Sequence, residues 1–195
     1  MKTLYLTHPE VMIDPHLDVT KWGLSFTGQT RIKAAIERGI FDHIEKIVSS
    51  DEQKAIDAAT LIAEYSDISY QTDPRCGEND RRATGFLPKD EFEAVATQFF
   101  AHPSQSIRGW ERAVDAQKRI VDAVNDHMKL ATEQHVLFVG HGAVGTLLKC
   151  HLAQRPISSD EDQHHLGAPG GGNMFAFDWT GQRLLSDWVA LENWT

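Results

Sequence analysis

The sequence predicts an α/β layer fold built on a mostly parallel central sheet, and three observations predict it. Short strand-like apolar runs alternate along the chain with segments of helical period, each about ten or more residues long. No composition shift marks an interior boundary, so the 195 residues read as one domain. The content of 41% hydrophobic and 24% charged residues suits a chain that closes a core without disulfide or metal staples.

The first strand is read over 3–7, which is rich in Leu, Tyr and Thr and ends at Pro9. Residues 10–24, with Pro15 and Gly23, form an irregular stretch. A helix follows, capped by Thr27, with Ile32, Ala35, Ile36 and Ile40 on its apolar side and Gly39 and Asp42 closing it. Residues 44–48 make a second strand. Ser50 and Gln53 resemble a capping box that opens a helix through Ala55, Ala58, Ala59, Ile62 and Ala63. Residues 66–90 lack periodicity and are expected to form a long surface segment with at most one short strand.

Helices over 89–101 and 106–130 come next, the second with Trp110, Val114, Gln117, Val121, Val124 and Met128 as a core stripe. The strongest strand, 135–139, runs into Gly140-His141-Gly142 and a helix to about Ala153. A polar loop over 155–173 ends in Gly170-Gly171-Gly172-Asn173. Strands over 174–178 and 183–189, joined at Thr180-Gly181, complete the chain, with a helix as the alternative for the second.

Nineteen basic against twenty-eight acidic residues give a net charge of −9, and no basic run offers phosphate backbones a positive footprint. Nucleic acid is therefore not an expected partner. Two cysteines, Cys76 and Cys150, without a CxxC, point to a reducing compartment. With no secretory apolar run at the start and no membrane-length apolar window, the expected location is cytoplasmic, and no membrane partner is expected. The oligomeric state stays open.

Ligands of α/β sheets gather at the carboxyl ends of strands. His8 and His141 each stand just past a strand, where one imidazole can attack a phosphoryl group while the other stabilises its equatorial oxygens. Each alone more often caps a carbonyl; the pair is what suggests chemistry. The glycines around His141 permit a tight turn into a helix whose free N–H groups suit an anion. Lys54, in the first turn of its helix, offers a point positive charge. Glu78, after a glycine in the irregular segment, is a candidate proton donor to a leaving alcohol. Asp14-x-His16-x-Asp18 and Asp160-x-Asp162-x-His164-His165 contain metal-ligand residue types but match no metal motif, and solvated loops explain them better. The Gly170–172 run lacks the lysine of a phosphate loop and precedes a strand, so close backbone packing or a turn is the expectation.

Taken together, these positions resemble the histidine phosphatase superfamily, the phosphoglycerate-mutase-like proteins. Leu6-Thr7-His8-Pro9-Glu10 takes the place of its Arg-His-Gly-Glu motif. The stretch from Trp22 to Gln29 resembles its W-x-L-T/S-x-x-G segment, and Ser49-Ser50-Asp51-Glu52-Gln53-Lys54-Ala55 its S-S-x-x-x-R-A segment. Val139-Gly140-His141-Gly142 resembles its second histidine motif, and Gly172-Asn173-Met174 its late bend. The resemblance implies a three-layer α/β/α sandwich over 1–195 and phosphomonoester hydrolysis of a small phosphorylated molecule without metal or cofactor. It implies His8 as the nucleophile that becomes phosphorylated, His141 as the second pocket histidine and Glu78 as the acid, with Glu91 the fallback.

Two of the family's arginines are replaced, by Thr7 and Lys54, and the glycine after the nucleophile is Pro9. A guanidinium fork gives way to one hydroxyl and one flexible point charge. Loss of an oriented donor to a transition state costs about 3–4 kcal/mol. With Thr7, Lys54 and Gly142 as the expected phosphate contacts, Arg75, Arg81 or Arg82 would have to compensate. The alternative is a weak or inactive member that binds a phosphorylated ligand or partner without turnover. No long insertion is present to suggest mutase chemistry.

Overall fold

The computed structural model describes residues 3–131 and 134–195. Strand β1 (Thr3–Thr7) is fully buried and central, flanked by β4 (Val136–Gly140) in parallel and by β5 (Asn173–Asp178) in antiparallel pairing. Beyond β4 lie β2 (Lys46–Ser49) and β3 (Tyr70–Thr72), both parallel. The two-residue strands β6 (Arg183–Leu184) and β7 (Val189–Ala190) pair antiparallel with β5, giving the path β3-β2-β4-β1-β5-β6 with β7 also on β5. The sheet is thus mixed: β1 to β4 form the expected parallel block, while the short links after β5 permit only antiparallel return.

Alternation along the strands divides the interior into two layers. Leu4 and Leu6 of β1, Leu137 and Val139 of β4, and Met174 and Ala176 of β5 face α1 (Phe26–Glu37) and α2 (Gln53–Ser66). Tyr5, Phe138, Phe175 and Phe177 face α3 (Lys89–Ala101), α4 (Ala113–Leu130) and α5 (Gly142–Leu152). Burying both faces of the sheet in this way completes the three-layer α/β/α arrangement.

Several element ends differ from expectation for local reasons. The cap of α1 is Ser25, whose hydroxyl accepts from Gly28 N–H at 3.0 Å; Thr27 lies inside the first turn. No capping box opens α2: its N-cap is Glu52, and the Ser50 hydroxyl accepts from Glu52 N–H. Helix α4 begins at Ala113, not near 106, because Arg108 and Gly109 sit at φ 51° and 84° and break the helical path. Trp110 is core, 2% exposed, but lies in that turn. The last strand is divided by Leu185 and Ser186, whose N–H groups both donate to the Ala176 carbonyl. The segment after α2 is only partly a surface loop. It forms β3 and a single 3₁₀ turn, Pro74–Cys76, and buries Cys76 and Asn79. In the 155–173 region a four-residue helix, α6 (Gln163–Leu166), buries Gln163. No helix among the described residues is long and apolar enough to cross a membrane.

The glycine run behaves as expected of close packing. Gly170, Gly171 and Gly172 all have positive φ, and a Cβ on Gly171 would lie 2.3 Å from the His8 carbonyl oxygen. That carbonyl accepts from Gly172 N–H at 3.1 Å, while His8 N–H donates to the Gly140 carbonyl at 3.0 Å. The backbone of His8 is thereby held from both neighbouring strands. Gly171→Ala combines a left-handed φ with a backbone collision, and should lower the unfolding free energy by about 1–3 kcal/mol in denaturant titration.

Candidate active site

Parallel pairing of β1 with β4 sets Thr7 opposite Gly140, so the next residues on each strand, His8 and His141, leave the sheet side by side. Their ring centroids are 5.2 Å apart, inclined at 68°. Nδ1 of His8 lies 2.9 Å from the Pro9 carbonyl, which can only accept, so Nδ1 carries the proton and Nε2 presents its lone pair. Burial, and then the neighbouring Lys54 charge, lower the pKa of His8 to about 4. His8 is neutral at neutral pH.

His141 is wholly buried, and burial takes its pKa well below the ordinary histidine value. Tyr5 brackets its backbone, accepting from His141 N–H at 3.0 Å and donating to its carbonyl at 3.1 Å. Nε2 of His141 is 2.8 Å from the Ser50 hydroxyl, and Nδ1 has no partner among the described residues.

Glu78 closes the cleft over the first turn of α5. Its carboxylate accepts from Val144 N–H at 3.1 Å and Ala143 N–H at 3.3 Å, using free donors at the helix start. Burial nevertheless raises its pKa above the ordinary carboxylate value, with Arg81 and these N–H groups opposing the rise. The loop that carries it is gripped by Arg119 of α4, which donates to the carbonyls of Arg75 (2.7 Å), Gly77 (3.0 Å) and Glu78 (3.1 Å). Glu111 in turn pairs with Arg119.

Lys54 reaches the same cleft, 3% exposed, but its ammonium is already engaged. It pairs with the Glu52 carboxylate and donates to the Val19 carbonyl at 2.8 Å. Glu52 also accepts from Glu78 N–H at 2.8 Å and lies 3.6 Å from His141 Nε2. Burial alone would raise its pKa; His141, Lys54 and the Glu78 N–H outweigh that and bring it to about 2.

The Thr7 hydroxyl is equally committed, donating to Gln163 Oε1 at 2.9 Å and accepting from Asn173 N–H at 3.0 Å. Gln163 Oε1 also accepts from Asn173 Nδ2 at 2.8 Å. The other end of that amide lies against Gly142, where an added Cβ would come 2.3 Å from Gln163 Nε2. Gly142 is therefore required by packing.

Of the three loop arginines, Arg75 is bound to Asp73 and Asp126, and Arg82 to Asp80 on the surface. Arg81 stands over the Phe92 ring at 4.9 Å, and its charge acts on His8, His141 and Glu78. Glu91 is exposed on α3 beside Arg108, away from this cluster. Asp14 and Asp18 accept from nearby backbone N–H groups, and Asp162 does the same for His164. No group of three or more His, Cys, Asp or Glu among the described residues is arranged to hold a metal ion.

An imidazole with a free ring nitrogen beside a second imidazole, with a carboxyl held at the following helix start, offers groups that can meet an anion and transfer a proton. The chain belongs to the histidine phosphatase superfamily, branch 1, whose family model matches residues 11–186. That matched stretch begins three residues beyond His8. No curated protein matches the chain.

Solved structures match it over nearly their full length. The mycobacterial glucosyl-3-phosphoglycerate phosphatase with inorganic phosphate superposes with TM-score 0.80 at 21% identity, covering 98% of each chain. YhfR of Bacillus stearothermophilus gives 0.74 at 19%, covering 94% of this chain and 93% of its own. The phosphoserine phosphatase of Entamoeba histolytica in complex with 3-phosphoglyceric acid gives 0.74 at 16%, covering 95% of each.

Sequence reasoning brought His8, His141, Glu78, Lys54 and Arg81 to one place. It missed Glu52, Ser50, Gln163, Asn173 and Arg119, which lie in the same cluster or hold it. The sequence does carry a signal for Glu52, an acidic residue two positions before Lys54 in the same segment.

The Glu52 pair makes stability depend on pH. With a folded pKa of about 2 against 4.5 for an unperturbed glutamate, its contribution is complete above pH 4.5 and is lost as pH falls toward 2. Glu52→Gln should therefore destabilise the protein at about pH 6 more than at about pH 3 in urea titrations. A gap that does not change with pH would contradict this.

Proposed function

We propose that this protein hydrolyses small phosphomonoesters through a phosphohistidine at His8. The reading is carried by one observation: an unprotonated His8 Nε2 stands beside His141, whose following helix start holds the Glu78 carboxylate. The Nε2 lone pair attacks phosphorus, the P–O ester bond breaks, and Glu78 gives its proton to the departing alcohol oxygen. Glu78, now ionised, takes a proton from the water that attacks phosphorus, and the P–N bond breaks to release phosphate and regenerate His8. The raised pKa of Glu78 suits a group that first donates and then accepts.

In this proposal Arg81 supplies positive charge to the phosphoryl oxygens and His141 contacts them, while Lys54 stays paired with Glu52. The Gln163 amide stands near the start of α5, where the bonded Thr7 hydroxyl is not free to serve. The two buried free cysteines are consistent with a cytoplasmic location. The acidic surface balance favours a small phosphorylated molecule over nucleic acid.

Thr7 and Glu52 favour the second reading, a phosphate-ligand binder without turnover. Thr7 brings no charge, and Glu52 sets a carboxylate against the anion that the cleft would hold.

Turnover of phenyl phosphate separates the two. Wild type should be active and indifferent to chelator, and His8→Ala should lose activity by a factor of about 10³ or more. Glu78→Gln should be slower by about 10²–10⁴. The pH profile follows from the same two groups. His8 must be neutral, so the acid limb of kcat/KM should lie near pH 4. Glu78 must be protonated for the first step, so a second limb should fall with rising pH, and Glu78→Gln should abolish that limb. Activity destroyed by chelator and unaffected by His8→Ala would overturn the proposal, and no turnover with phosphate binding retained would leave the second reading.

A further inference from the structure

A cavity of about 340 Å³ shares Val19 and Arg81 with the surroundings of the cleft, and no step described so far uses it. Its walls include Val19, Trp22, Phe86 and Phe92, with Arg81 and Lys89 as its only charged lining residues. The Trp22 and Phe86 rings meet edge to face at 6.0 Å, and the Arg81 guanidinium lies 4.9 Å above Phe92. Phe86 is 41% exposed and Ile13, also on the wall, 61%. Apolar surface is thus left open to solvent here, on two segments joined to the cleft.

The junction is direct. Val19 lines the cavity, and its carbonyl accepts from Lys54 Nζ. Arg81 lines it too, while its charge acts on His8 and Glu78. Displacement at phosphorus by His8 expels the alcohol on the side opposite the nucleophile, and that oxygen takes its proton from Glu78. Arg81 stands three residues beyond Glu78. The cavity thus shares its Arg81 wall with the loop that carries the proton donor.

We propose that this cavity binds the alcohol portion of the substrate and that this alcohol is flat and apolar, an aryl or comparable ring. The proposal rests on the hydrolase reading for its orientation, and its own content is the chemistry of the leaving group. A volume near 340 Å³ is at the small end of the usual range for ligand pockets, about 300–1,000 Å³, and suits a ring or two. Aromatic walls give a flat ring edge and face contacts that a polyhydroxylated or zwitterionic alcohol would not repay for its lost water. The absence of any carboxylate from the lining, with Arg81 on the phosphate side, fits a ligand that is anionic at one end and apolar at the other.

Equilibrium binding by calorimetry, with naphthyl phosphate, glycerol phosphate and inorganic phosphate as probes, tests this independently of turnover. Naphthyl phosphate should bind wild type at least about tenfold more tightly than either other probe. Phe86→Ala and Phe86→Asp, at an exposed position, should bring that ratio to about threefold or less. Equal affinities in wild type, or a ratio untouched in both variants, overturn the proposal. Selective binding without turnover would reject the hydrolase reading and keep the pocket; turnover without selectivity would do the reverse.

Discussion

Everything at the site depends on the backbone hydrogen bonds that hold His8 between two strands. Its N–H donates to Gly140, the residue before His141, and its carbonyl accepts from Gly172, where the chain enters β5. These two bonds tie the ends of β4, β1 and β5 together at one edge of the sheet. The imidazole separation is then set by strand spacing and not by flexible side chains. Gly171 is the cost of that arrangement, since only a residue without Cβ can follow the left-handed path so close to the His8 carbonyl.

Above this frame the electrostatics are balanced, not uniformly positive. Lys54 and Glu52 neutralise one another in a site almost free of solvent, both histidines are neutral, and Glu78 is shifted toward its protonated form. Arg81 remains as the cation with no hydrogen-bonded partner among the described residues. A phosphate entering such a cleft meets the Arg81 guanidinium, since the Ala143 and Val144 N–H groups at the start of α5 are already bonded to Glu78. The arrangement lowers the attraction for free phosphate and places more of the binding on whatever the phosphate is attached to, which makes an apolar alcohol pocket physically coherent with a weakly charged cleft.

The parts of this picture that sequence made legible are those with periodic or backbone logic. Leu4 and Leu6 alternate with Tyr5 because β1 is covered on both faces, and the glycine run before β5 reads as close packing because nothing else needs three glycines there. His8 and His141 were legible because each ends a strand. The contacts of Gln163 were not: it lies in a four-residue helix inside a polar loop, 156 positions from the Thr7 hydroxyl it accepts from. Neither was the reach of Arg119, which looks from its helix like one more solvated cation. Helix α4 starts later than the expected 106 because the recurrence that includes Trp110 looks helical, while the left-handed pair Arg108-Gly109 breaks the path before Ala113.

Thr7 is coupled to its surroundings through its hydroxyl. An arginine there would need the volume now occupied by the Gln163 amide, and Gln163 is anchored twice, by Thr7 and by Asn173. The same amide presses on Gly142, so the start of α5 and the end of β1 are packed through a neutral polar group. A buried threonine-glutamine-asparagine network has no desolvated ion to compensate, and it stays satisfied whether or not an anion is present. By contrast, an unpaired guanidinium at that depth would need its phosphate for stability. A threonine here therefore favours stability of the strand end over affinity for an anion, and Arg81 is the cation whose charge reaches both histidines.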